Sequence, residues 1–191
     1  MVDKLRAERA AERRQAEQDL LARRRETVAG LVELLRDRDV LANRRGTAQS
    51  AIYLLGEMRA VEAVPALVDI VAYPEGGFGP EGHRLFEVPP APRLWWREPP
   101  ERGPASALNK IGHPCLPAVV EKLGQTGSLT EMKACLNVLY RLLGRERALE
   151  ELQTALDAAE TEDERARLGR AVQWMRRAGE MPPLPPEGLG D

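Results

Sequence analysis

Apolar residues recur at intervals of three or four along most of the chain, the spacing that places them on one face of an α-helix. These stripes predict helices over about 28–36, 44–55, 61–71, 105–111, 116–123, 129–143, 148–156 and 163–178. Thr27 is expected to cap the first of them, and Pro65 lies in the first turn of the third, where a missing N–H costs little. Val61, Val64, Leu67, Val68 and Val71 are expected to face inward.

Aromatic residues make up only 4 % of the chain, and β-rich chains depend on them. The pattern therefore predicts an all-α protein.

Four glycines directly follow apolar stripes and are expected to end those helices. Glycine alone takes a positive φ without steric cost, so it closes a helix in the left-handed conformation. These residues are Gly56, Gly112, Gly144 and Gly179. The last three are about one helix–turn–helix unit apart, and the wider interval after Gly56 fits one unit plus an insertion. We therefore expect a repeated unit.

The insertion is residues 73–103, whose composition differs from the rest of the chain. It holds seven prolines and five glycines, which break helices, and five of the eight aromatic residues. We expect a loop rich in Pro, Gly and aromatic residues between two helical units.

One domain is predicted over residues 1–178, opened by a charged leader helix at 1–26. Between residues 3 and 26 there are eight Lys or Arg against six Asp or Glu, a small excess that argues against a nucleic-acid-binding arm. The polar, Pro-rich tail at 179–191 is expected to be disordered.

The overall composition fits a soluble protein. The formal net charge is −2, so the chain has no global attraction to nucleic acid or to anionic membranes. No apolar run is long enough for a membrane span, and the start is too charged for a signal peptide. We expect a cytoplasmic protein, or a periplasmic or secreted one if a signal peptide has been removed.

Cys115 and Cys135 are interpreted as buried free thiols, with a disulfide between them left open.

Residue types that carry catalysis are present but not clustered. His83 and His113 are far apart and lack neighbouring cysteines or carboxylates at metal-ligand spacing. Glu75, Glu81 and Glu87 share the insertion with His83, but nothing in the sequence sets their mutual geometry. We expect no catalytic residues, no metal and no cofactor, although an enzymatic role stays open.

A group of aromatic and cationic residues in the insertion is the strongest functional signal. Trp and Arg are enriched at binding hot spots because they bury large areas and still form hydrogen bonds. The predicted partner-binding residues are Phe86, Arg93, Trp95, Trp96 and Arg97. The competing interpretation is that Phe86 and Trp95 fold back and fill a gap between helices.

Residues 31–71, LVELLRDRDVLANRRGTAQSAIYLLGEMRAVEAVPALVDIV, carry a family resemblance. The sequence Ala51–Gly56, followed by Ala63-Val64-Pro65-Ala66-Leu67-Val68, resembles the HEAT repeats, in particular the short HEAT-like repeats of phycobilisome lyases. Ile111-Gly112 with Leu116-Pro117-Ala118-Val119-Val120 repeats the theme more weakly. The resemblance implies an α-α superhelix, a HEAT-like solenoid of four to five helix pairs.

Three functions are compatible with this resemblance. The first is a non-enzymatic scaffold or adaptor that binds a protein partner along its extended face. The second is a ligand-handling or lyase-like accessory protein. The third is a nucleic-acid-binding protein, which the acidic second helices disfavour. Those helices carry Glu62, Asp69, Glu121, Glu150 and Glu151 against Lys122.

Overall fold

The computed structural model describes residues 23–73 and 103–177, together with Glu12, Gln15, Ala16 and Asp19 of the leader. All four leader residues are helical, and Gln15 Nε2 donates a hydrogen bond to Asp19 Oδ1 at 3.0 Å. Within the described ranges the chain forms helices and turns and no strand, which confirms the predicted all-α class.

The described helices are α1 (Arg24–Arg36), α2 (Arg38–Asn43), α3 (Arg45–Glu57), α4 (Val64–Asp69), α5 (Pro104–Ile111), α6 (Leu116–Gln125), α7 (Leu129–Ala158) and α8 (Glu162–Arg177). Short connections join them, except between α4 and α5, where the insertion lies. Single 3₁₀ turns at Val61–Ala63 and His113–Cys115 precede α4 and α6. Gly144, with φ +74° and ψ 172°, is not helical and divides α7 into two helical arms, which confirms the predicted helices at 129–143 and 148–156.

One arrangement of turn and helix occurs twice. In both copies a 3₁₀ turn leads into a helix whose second residue is proline, Pro65 in α4 and Pro117 in α6. Ala63 and Cys115 occupy the same place in the two turns, and both are fully buried. We call α3, its turn and α4 the first unit, and α5, its turn and α6 the second unit. The described part of the chain therefore contains this turn and helix start twice, whereas the predicted solenoid of repeated units stays a prediction.

The prediction that Gly56 ends its helix, at the point that corresponds to Gly112, is wrong. This glycine is helical, because α3 continues through Gly56 to Glu57 and has its C-cap at Met58. Arg59 N–H bonds to Gly56 O and Ala60 N–H to Leu55 O, a Schellman ending in which Arg59 takes the left-handed φ of +47°. When the two units are aligned on their 3₁₀ turns, Gly112 of the second unit corresponds to Ala60 of the first. Gly112 and Gly144 do adopt positive φ, as predicted, and Gly179 lies outside the described residues.

Two further details differ from the sequence prediction. Thr27 is not an N-cap: α1 begins at Arg24, and the Thr27 hydroxyl donates to Arg23 O inside the first turn. Val61 is not inward but 47 % exposed, because it opens a 3₁₀ turn and not an α-helix. The other four residues of that stripe are buried.

Contacts between the described helices build the core. α3 contacts α5 and α5 contacts α7, while α4 contacts α6 and α6 contacts α8. The buried apolar side chains of the described residues form one cluster from Val28 to Met175. The helices therefore bury their apolar faces against one another in one shared core. No helix in the described ranges is both long and apolar enough to cross a membrane.

Candidate functional site

The five predicted partner-binding residues, Phe86, Arg93, Trp95, Trp96 and Arg97, lie outside the described residues, as do His83 and Glu75, Glu81 and Glu87. The two points where the insertion joins the helices are described. At the first, the Tyr73 hydroxyl donates to Leu41 O at 2.7 Å. At the second, Gly103 and Pro104 are buried and open α5. Both junctions are therefore held against the helical core.

Close packing of α3 on α5 creates a polar cluster beside the second junction. A Cβ placed on Gly56 would lie 2.9 Å from the Ala107 Cα, so only glycine permits this approach. The contact brings Lys110 of α5 over the Tyr53 ring, with Nζ 4.7 Å from the ring centroid. Lys110 also forms an ion pair with Glu57. We call Tyr53, Glu57 and Lys110 the Tyr53 cluster.

The Tyr53 cluster is partly accessible to solvent. The side chains of Lys110 and Glu57 are about one third exposed, and Tyr53 is half-buried. Gly103 O accepts a hydrogen bond from Ala107 N. The insertion therefore returns to the core one helical turn before Ala107, the residue that contacts Gly56. Within the described residues, the Tyr53 cluster is thus a cation–π contact and an ion pair that join α3 to α5.

A second cation–aromatic contact joins α7 and α8. Lys133 Nζ lies 5.3 Å from the centroid of the half-buried Trp174 ring. The sequence pattern predicted neither this contact nor the Tyr53 cluster. Both pairs join residues on different helices, and no local pattern in the sequence links their members.

Two depressions open on the described surface. One, of about 340 Å³, is lined by Arg24, Val28, Ala29, Val32, Glu33 and Glu62. The other, of about 620 Å³, surrounds the start of α3 and is lined by residues 43–47 and Ser50. Both are open to solvent, whereas ligand sites that bury most of a small molecule are enclosed clefts.

Cys115 and Cys135 are both free and fully buried, as predicted. Burial raises the pKa of the Cys115 thiol to about 11 and that of the Cys135 thiol to about 12, since a thiolate loses its hydration inside the core. The nucleophilic form of cysteine is the thiolate, so both thiols are protonated and inert near neutral pH. They are core residues.

His113 opens the second 3₁₀ turn and is exposed. Among the described residues, no three His, Cys, Asp or Glu side chains group closely enough to hold a metal ion.

Taken together, α4 with its 3₁₀ turn, α6 and the second arm of α7 carry more acidic than basic residues. Glu62, Asp69, Glu121, Glu150 and Glu151 are all exposed. Sequence reasoning began the last of these helices at Ala148, whereas the second arm of α7 begins after Gly144 and adds Arg145 and Arg147. That arm also adds Glu146 and Asp157, so it remains acidic. A continuous basic stripe, the electrostatic footprint of nucleic-acid binding, is not formed by these helices.

The comparisons with known proteins do not test the resemblance to HEAT repeats. No family model, no curated protein and no solved structure matches this chain.

Proposed function

We propose that this chain is a non-enzymatic scaffold or adaptor that binds a protein partner on a HEAT-like solenoid. The observation that carries the proposal is the duplicated unit, in which a 3₁₀ turn leads into a helix with proline at its second position. Each copy packs on its neighbours row by row, with α3 on α5 and α4 on α6. A stack of this kind offers an extended surface that a partner can follow.

The inserted segment supplies the partner contact in this proposal. Trp95 and Trp96 with Arg93 and Arg97 combine large aromatic area with charged donors, the residue types that dominate interface energies. The segment returns to the core at Gly103, beside the Tyr53 cluster. A partner that contacts the end of the insertion is then close to a second surface of the same chemical type. The Tyr53 cluster extends the proposed interface onto α3 and α5.

The two other functions receive less support. The outer surfaces of the second helices are acidic and would repel phosphates. The two depressions are open and their linings include several charged residues, unlike the enclosed apolar pocket that a chromophore or similar ligand needs.

Affinity capture with the full-length chain tests the proposal. The wild type and a Trp95→Ala/Trp96→Ala variant are used as bait against lysate from the native host, and bound proteins are quantified by mass spectrometry. We expect at least one protein enriched by the wild type to fall by about thirtyfold or more with the variant, since a hot-spot residue contributes about 2 kcal/mol or more. Purified candidates are then confirmed by direct titration.

Two controls make the result specific. Phe78→Ala removes an aromatic side chain from another part of the same insertion and is expected to leave capture unchanged. Circular dichroism establishes that each variant keeps the helix content of the wild type. If a folded Trp95→Ala/Trp96→Ala protein recovers every partner as well as the wild type does, the insertion is not the contact. If the wild type also enriches nothing that binds in purified form, the scaffold proposal fails.

A further inference from the structure

We draw no further inference here: the strongest candidate, the shallow basic depression at the N-terminal end of α3, is a helix N-terminus for which the described residues supply no second observation that identifies a ligand.

Discussion

The first and second units share the same 3₁₀ turn and helix start, but the residues that connect the preceding helix to that turn differ. We call these connecting residues the corner of each unit. In the first, Met58, Arg59 and Ala60 join α3 to its 3₁₀ turn, and Arg59 takes a moderate left-handed φ of +47°. In the second, Gly112 is the single residue between α5 and its turn, with φ +86° and ψ −153°. A longer corner spreads the change of direction over several residues, so an ordinary side chain suffices. A one-residue corner requires dihedral angles that essentially only glycine adopts.

The two units also use glycine for different physical reasons. Gly112 is needed for its backbone angles, and a Cβ there would meet nothing within 4 Å. Gly56 has ordinary helical angles and is needed because α5 lies against it. The same residue type is thus required by conformation in one unit and by helix–helix distance in the other, and the predictions below separate these two requirements.

The largest expected effect follows from a side chain at Gly56. Gly56→Val pushes two methyl groups against the Ala107 backbone, which cannot yield, and we expect a loss of about 3 kcal/mol in the free energy of unfolding. Gly30→Val is the matched control, since Gly30 is exposed in α1 with nothing within 4 Å of a Cβ. Glycine and valine have similar helix propensities, so the control should change by less than about 0.5 kcal/mol. Urea denaturation measures both. Equal losses in the two variants would show that α3 and α5 are not in close contact.

The corners give the next largest effect, with opposite signs in the two units. Gly112→Ala forces an alanine into a region reserved for glycine and should cost about 2 kcal/mol. Arg59→Gly relieves the left-handed strain on Arg59 and should stabilise the protein by up to about 1 kcal/mol. Thermal unfolding of the two variants tests the contrast between corners. Destabilisation by Arg59→Gly would contradict the Schellman ending of α3.

Cys115 provides a pH-dependent comparison, because Ala63 fills the same place in the first unit. Burial raises the Cys115 pKa from its ordinary value of 9.0 to about 11. In the unfolded chain the thiol ionises near pH 9, whereas in the folded chain it stays protonated, so stability is unaffected below pH 9 and falls as pH rises from 9 towards 11. At pH 10 the expected loss from this thiol is about 1.5 kcal/mol.

The Cys115→Ala variant isolates that contribution. At pH 7 it should be slightly less stable than the wild type, since sulfur is removed from a packed core. Between pH 7 and pH 10 it should lose less stability than the wild type by about the amount given above. Denaturant titrations in the presence of a reductant, at both pH values, measure the difference. Parallel losses in the two proteins would mean that the thiol is accessible or bridged in the folded state.

Much of the helical order could be predicted from the sequence because periodicity and proline are local signals. Pro65 and Pro117 are placed correctly in first turns, and the inward stripe of α7 is buried at Met132, Cys135 and Leu139. The role of Gly56 could not be predicted, since the reason for it lies on α5, beyond an insertion of unknown course. Lys110 is equally hidden from sequence reasoning, because its two contacts, Tyr53 and Glu57, belong to another helix.

The smallest expected effect tests whether the polar positions of the two units are equivalent. In the register of the 3₁₀ turns, Asn109 of α5 stands where Glu57 stands in α3. Glu57 pairs with Lys110 of the next unit. Asn109 has both amide atoms enclosed, and neither has a hydrogen-bond partner among the described residues. An enclosed, unpaired amide costs about 1–3 kcal/mol, so the similarly shaped leucine is better tolerated there.

Asn109→Leu should therefore raise the free energy of unfolding by about 1 kcal/mol, an unusual direction for a polar-to-apolar change. Asn43→Leu is the control, because the exposed Asn43 side chain already donates to Asp39 at 2.7 Å and gains nothing from the change. Chemical denaturation of both variants against the wild type provides the measurement. Destabilisation by Asn109→Leu would mean that the amide is satisfied in the folded protein, by water or by another part of the chain. Asn109 would then hold its position as Glu57 does, by a polar contact, and the two units would be alike at this site.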